Sequence, residues 1–399
     1  MSIDFTPKQL AAIDRANDWY NDPKSRRPFQ LFGFAGTGKT TIAQKTAHAL
    51  GVKNVFFCAP TGKAASNLIH KGCADAKTIH QLIYKPSGSG YDTRKKQIIE
   101  ELQIEQDPRK RARLKRELDR ISNCRFVPNP KSVLGLCDPS NSLVIVDEAS
   151  MVGQRVGRDL ASFGVKILAL GDPAQLGPVK DTAYFTGRPD VVLDEIHRSE
   201  ANSPVTHFAT QVRTKGYISG RVDENGVIYR KIKDLKMKVF LSFDQVVTGP
   251  NWRRHLVNEA IRNHYGRTPG IPVKGDRVMC LQNDHHFGLL NGEQYRVLGV
   301  TDNHSHWGLT LQIMGTKDTL RVPAAKHTFF GQDYENDLPR RGELGAFAWG
   351  YAITGHKAQG SQWRRVLVLK DKWRGDNAQW LYTAVTRASE RVVVISPPR

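Results

Sequence analysis

Short apolar runs recur along this chain, and each ends in a polar or glycine-rich turn. Residues 29–32, 55–59, 143–146, 166–170, 244–248, 365–369 and 392–395 are such runs. They have strand length, and the one over 143–146 is apolar throughout, which predicts strands buried on both faces of a parallel sheet. Helical stretches alternate with them. Thr6 is a candidate N-cap with Pro7 at the first helical position, opening a helix that runs to Tyr20 with Leu10 and Ile13 inward. A helix over 251–265 is expected to turn Leu256, Ala260 and Ile261 inward. The fold class is therefore α/β. Between 292 and 330 the pattern shifts to a period of two, over 294–300, 309–314 and 319–322, with Gly, Asn and Asp turns. That change predicts a small antiparallel barrel.

The turn after the first run carries the chemistry. Gly33-Phe34-Ala35-Gly36-Thr37-Gly38-Lys39-Thr40 fits the phosphate-loop pattern G-x-x-x-x-G-K-[ST] between a strand and a helix. Gly33, Gly36, Thr37 and Gly38 would let backbone N–H groups cradle phosphate oxygens, and Thr41 continues the helix start. Lys39 would reach the β- and γ-phosphates, and the Thr40 hydroxyl would hold Mg²⁺. The expected ligand is ATP with Mg²⁺. A ligand-free glycine turn is the competing reading, and the full match in strand–loop–helix context argues against it.

Other strand ends add to the same crevice. The run over 143–146 delivers Asp147 and Glu148, the first suited to Mg²⁺ and the second to activating a water. The next strand ends in 171–178, where the Gln175 amide can touch a γ-phosphate and a neighbouring domain. Thr61, Lys63 and His80 also follow strand or helix ends, where open α/β sheets bind ligands. Taken singly, each would be an ordinary loop residue.

The chain has 399 residues and a formal net charge of +20, an excess that favours a polyanionic partner, nucleic acid above all. Its five cysteines form no C-x-x-C pair, which argues against structural zinc and a disulfide framework and suits a reducing, cytoplasmic setting. No run reaches membrane-spanning length. Residues 93–122 are dense in charge with Pro108 near the middle, and read as two helices forming an inserted arm. The arm either adds positive charge or meets nucleic acid.

In order along the chain, these motifs resemble the superfamily 1 helicases, in particular the RecD/Dda-like branch of phage type. The matching stretches are Gln9, 33–40, 59–65, 78–80, 144–151, 170–179, 195–199, 354–363 and 382–389. The resemblance implies two RecA-like domains with ATP between them. It implies a first domain over 1–85 and 132–190, with the charged arm inserted at 86–131. The second would cover 191–290 and 345–399, with an SH3-like barrel at 291–344. It also implies that Gln9 reads adenine, that Gln175 senses the γ-phosphate, and that Arg198 and Arg387 are arginine fingers. Gly360 and Gln362 would meet the nucleotide, though Gln362 stands where relatives often carry Glu. Single-stranded DNA would contact Thr61, Lys63, His80, Thr354, His356 and Lys357.

The activity implied is ATP-driven movement 5′ to 3′ on single-stranded DNA with duplex unwinding, by a monomer. Its partners would be single-stranded and forked DNA, alongside single-strand-binding or replication proteins. A translocase with little unwinding shares these motifs. An ATP-gated binding module with little turnover is disfavoured by Glu148, Gln175, Arg198 and Arg387 together.

Overall fold

The computed structural model describes residues 5–86, 126–178, 181–185, 187–195, 203–222, 224–229, 231–284, 286–331, 337–371 and 377–396, with isolated positions between 98 and 114. The arm predicted over 93–122 therefore lies largely outside the described residues. Only its base is defined, where Tyr84–Pro86 pairs antiparallel with Phe126–Pro128.

Two largely parallel sheets organise the chain. The first contains β1 (Phe29–Gly33), β2 (Asn54–Ala59), β3 (Lys77–Thr78), β6 (Ser142–Val146), β7 (Lys166–Gly171) and β8 (Val191–Leu193) in the order β3-β2-β6-β7-β1-β8. Strands β4 and β5 are the arm's base pair just named. The period-two geometry of a strand explains why β6 is apolar throughout. Leu143 and Ile145 enter one core with Ala12, Ile13 and Ile42, while Val144 and Val146 enter another with Ile79, Leu82 and Leu160. Helices α1 (Pro7–Asn21) and α2 (Lys39–Ala49) cover the first face.

Strand β8 corrects the expected boundary at 191. Its residues pair parallel with β1, Leu31 opposite Val191 and Gly33 opposite Leu193. The chain leaves the first sheet only after this strand.

The second sheet runs β17-β11-β18-β19-β10-β9. Its strands are β9 (Arg221–Val222), β10 (Asn225–Tyr229), β11 (Gln245–Thr248), β17 (Ala352–Thr354), β18 (Trp363–Leu369) and β19 (Ala388–Ser396). All neighbours are parallel except β10 and β9. One face packs on the helices Pro204–Lys215 and Asn377–Val385, the other on Asn251–His264.

The register of this last helix differs from expectation. Ile261 is buried as expected, but Leu256 is 55% exposed and Ala260 is exposed, and Arg254, Val257 and Asn258 are buried instead. The reason is Asn258. Its Nδ2 donates to the Ala352 carbonyl and its Oδ1 accepts from the Ala352 N–H, both at 2.9 Å. One amide thus satisfies both peptide groups of a residue on the sheet's edge strand. That requirement rotates Leu256 to the surface.

The third sheet is antiparallel, ordered β15-β14-β13-β12-β16. Strands β13 (Gln294–Asp302), β14 (His306–Ile313) and β15 (Thr319–Ala325) lie where alternation predicted them. Strands β12 (Arg277–Cys280) and β16 (Phe347–Trp349) extend the sheet beyond 291–344 on both sides. Its core includes Val278, Tyr295, Leu309, Leu311, Phe347 and Trp349.

Candidate active site

The loop after β1 builds one wall of a cleft. Gly36 and Gly38 have φ of 79° and 76°, a left-handed backbone that residues with a Cβ adopt only at a cost. Gly38 caps α2 with no side-chain hydrogen bond, so no capping side chain competes for the helix's first N–H groups. Thr37 closes the turn from within, its Oγ1 donating to the Phe34 carbonyl at 2.8 Å. Lys39 bends back over the loop, and its Nζ donates to the carbonyls of Gly33 and Phe34 at 2.7 and 2.9 Å. Gly33 itself ends the strand beneath the loop. A Cβ there would stand 2.6 Å from Thr37 Oγ1.

The floor comes from β6. The Asp147 N–H donates to the Cys58 carbonyl at 2.9 Å, which continues the sheet one residue further. Glu148 then turns into the left-handed region at φ 51°. For a residue with a side chain this costs roughly 1–2 kcal/mol, and such strain collects at functional sites. Burial, reinforced by the Asp147 charge, raises the Glu148 carboxyl above the usual carboxylate range, opposed by Arg387 and Lys39. From β7, Asp172 is 1% exposed and Gln175 7% exposed. The buried Gln175 Oε1 has no hydrogen-bond partner.

The opposite wall belongs to the second sheet. Gly360, Ser361, Gln362, Tyr382 and Arg387 line a cleft of about 870 Å³ together with 34–41, Asp147, Glu148 and Gln175. Arg387 is 6% exposed. Its Nε and one terminal nitrogen donate to the carbonyls of Thr383 and Ser361 at 3.0 and 3.3 Å, and the other terminal nitrogen to Thr386 Oγ1 at 3.1 Å. These bonds hold a permanently charged guanidinium at the cleft wall.

The residues suit a nucleoside triphosphate with Mg²⁺: left-handed glycines, an uncapped helix start, a lysine, a hydroxyl at Thr40, carboxylates, and an orphaned buried amide oxygen. Mg²⁺ needs only one or two protein groups plus phosphate and water, which Thr40 and Asp147 could supply.

Several predicted residues are placed elsewhere. Gln9 is absent from the cleft lining. Its Oε1 accepts from the Thr6 N–H at 2.9 Å and its Nε2 donates to the Thr37 carbonyl at 3.2 Å. The amide thus caps its own helix and braces the phosphate loop. Lys63, expected at a nucleic-acid face, lines the cleft, as the second residue of the helix Gly62–His70 that Thr61 caps. Arg198 lies outside the described residues. Arg213 was not foreseen. It lines the cleft, with its guanidinium 3.8 Å from the centre of the Phe34 ring. Nothing local in its helix distinguishes it from the other basic positions there.

The nucleic-acid candidates divide between the halves. Thr61 and Thr354 each serve as an N-cap, and Thr78 caps the helix that carries His80. Lys357 Nζ donates to Asn291 Oδ1 at 2.9 Å, and the Asn291 N–H donates to Asn283 Oδ1 at 2.7 Å. A Cβ on Gly62 would meet that same Asn283 and Leu290. The segment 283–291 therefore links the starts of two helices, one from each half. His356 is half-buried, and burial lowers its pKa. His80 is exposed and lies 5.0 Å from the Tyr84 ring.

Known proteins resemble this chain in both halves. The AAA domain model matches residues 23–229, more than half of the chain, and the UvrD-like helicase C-terminal domain matches 350–395. The chain belongs to the AAA-domain family, and the relatives it resembles include RecD and Pif1 helicases. The ATP-dependent RecD2 DNA helicase of Deinococcus radiodurans is 26% identical to it over 90% of this chain and 46% of its own length. The ATP-dependent DNA helicase Pif1 of Bdellovibrio bacteriovorus is 24% identical over 96% of this chain and 86% of its own. A crystal structure of Bacteroides Pif1 in complex with ADP-AlF3 and single-stranded DNA superposes with a TM-score of 0.57 at 18% identity, covering 98% of this chain and 92% of that one. That likeness is one of fold. This family member spans about half the length of RecD2.

Proposed function

We propose that this chain is an ATP-dependent DNA helicase that moves 5′ to 3′ along single-stranded DNA. The two parallel sheets are read as RecA-like domains and the third sheet as an SH3-like insertion. The observation that carries the reading is the shared cleft, with Lys39, Thr40, Asp147 and Glu148 on one wall and Arg387, Gly360 and Gln362 on the other. Thr40 and Asp147 would hold Mg²⁺, which supplies charge neutralisation at the phosphates. Lys39 and the loop N–H groups bind the phosphates. Glu148 accepts a proton from the attacking water as its oxygen bonds the γ-phosphorus. The bond to the bridging oxygen breaks, and ADP and phosphate leave. Arg387, and Arg198 by resemblance, stabilise the charge that develops.

A catalytic arginine on the far wall acts only when the walls approach, which ties hydrolysis to domain closure. Alternating grip on a strand by Thr61, His80, Thr354, His356 and Lys357 would turn closure into steps. The +20 charge supports a strand held through its phosphates, with affinity that falls steeply with salt.

Duplexes with a single 5′ or 3′ tail test this reading. The 5′-tailed substrate is expected to be unwound with ATP and the 3′-tailed one left intact. Unwinding of the 3′-tailed duplex alone would reverse the polarity. Strand-stimulated ATP turnover with neither substrate unwound would favour the translocase.

The raised Glu148 carboxyl sets a pH dependence. The base works only when ionised, so turnover should fall as pH drops through a value above the usual ~4.3 of a glutamate. A kcat profile that stays flat down to that ordinary value would remove Glu148 as the base.

A further inference from the structure

Tyr382 belongs to the helix Asn377–Val385 on the second sheet, yet its hydroxyl reaches the first. It accepts from the Ala35 N–H of the phosphate loop at 3.3 Å and donates to Asp172 Oδ2 at 2.9 Å. Asp172 Oδ2 also accepts from Gln175 Nε2 at 3.3 Å, and its Oδ1 accepts from the Ala174 N–H at 3.0 Å. Gln175, which lines the cleft, has a buried Oε1 without a hydrogen-bond partner.

This arrangement decides which way the Gln175 amide faces. A carboxylate only accepts hydrogen bonds, so it tolerates the amide NH₂ beside it and repels the amide oxygen. The flipped amide would bury two acceptors against each other. Gln175 therefore offers its oxygen for further bonding. That oxygen can accept from the O–H of a water, whereas a phosphate oxygen has no hydrogen to give it. Burial, with the Asp172 charge beside it, pushes the Tyr382 phenol up, so it remains a donor throughout the working pH range.

Other contacts hold the same two loops against the second half. Phe34 packs on that half's core. The Leu176 N–H donates to Thr383 Oγ1 at 3.0 Å, and Gln359 Nε2 donates to the Leu176 carbonyl at 2.9 Å. Loss of one hydroxyl would leave these contacts in place.

We propose that Tyr382 is a positioning residue: it fixes Asp172, and through it presents the Gln175 oxygen to the attacking water only when the second half is seated on the phosphate loop. The inference rests on the reading of the cleft as an ATPase site. Gln175 then acts on the water, as an acceptor, and Tyr382 reports that the cleft is closed.

Tyr382→Phe keeps the buried ring and removes the hydroxyl. With saturating single-stranded DNA, kcat for ATP should fall about tenfold, while KM and the affinity for a fluorescent ADP analogue stay within about twofold. In a Gln175→Ala background the same change should cost less than about twofold, because the group it positions is gone. Asp172→Asn, which frees the Gln175 amide to turn, should reproduce the kcat loss with the melting temperature unchanged. A Tyr382→Phe kcat within twofold of wild type overturns the proposal. So does an equal loss in both backgrounds, or a loss confined to KM. If wild type itself shows no strand-stimulated hydrolysis, the ATPase reading fails first and this inference with it, so the wild-type control separates the two failures.

Discussion

Lys39→Ala is expected to lower strand-stimulated ATP turnover by at least about 100-fold, the scale for removing a preorganised charge from a transition state. The substitution leaves the loop intact. Its path is set by the left-handed Gly36 and Gly38 and by the Thr37–Phe34 bond, none of which needs the lysine. Alanine also suits the first turn of α2. What disappears is the ammonium that sits 2.7 and 2.9 Å from the Gly33 and Phe34 carbonyls. The strand-binding candidates are on other segments, so affinity for a labelled oligonucleotide should stay within about twofold. Hydrolysis near the wild-type rate would show that the triphosphate is bound elsewhere.

Arg387→Ala should be of similar size for a different reason. An arginine supplied to a phosphoryl transition state is worth about 10³ or more in kcat. Arg387 is anchored by Thr383, Ser361 and Thr386 on the second half, yet it opposes the rise that burial and Asp147 give the Glu148 carboxyl on the first. Its charge is thus felt across the cleft. Turnover should fall about 1,000-fold while ADP-analogue affinity changes by less than about fivefold. Arg387→Lys should recover little, because an ammonium cannot reproduce the anchored fork. Loss of nucleotide affinity with normal turnover per bound nucleotide would make Arg387 a binding residue only.

The phosphate loop, Asp147–Glu148 and the strands under them were legible because their signals are local. An apolar run followed by an obligatory residue pattern needs no knowledge of the rest of the fold. The alternating stretches of the third sheet were legible for the same reason. What could not be read depends on which surfaces meet. Lys63 is two residues beyond the Thr61 cap, and its place depends on the half that packs across from it. Gln9 has the right side chain to read a base, but its amide is claimed by Thr6 and Thr37.

Leu256 looked like a core residue until Asn258 took the edge strand's peptide groups. Val191–Leu193 looked like the start of the second half because nothing in three residues states which sheet they join. Arg213 and the link from Tyr382 to Gln175 are cross-cleft features. They exist only once both halves are built.

In the proposed function, the two walls of one cleft jointly hydrolyse a triphosphate when a strand is bound. The most direct test is ATP turnover by the wild-type chain, measured with and without single-stranded DNA. At least about tenfold stimulation by the strand is expected, because closure completes the site. Turnover that is absent under both conditions, or present and indifferent to the strand, would contradict it.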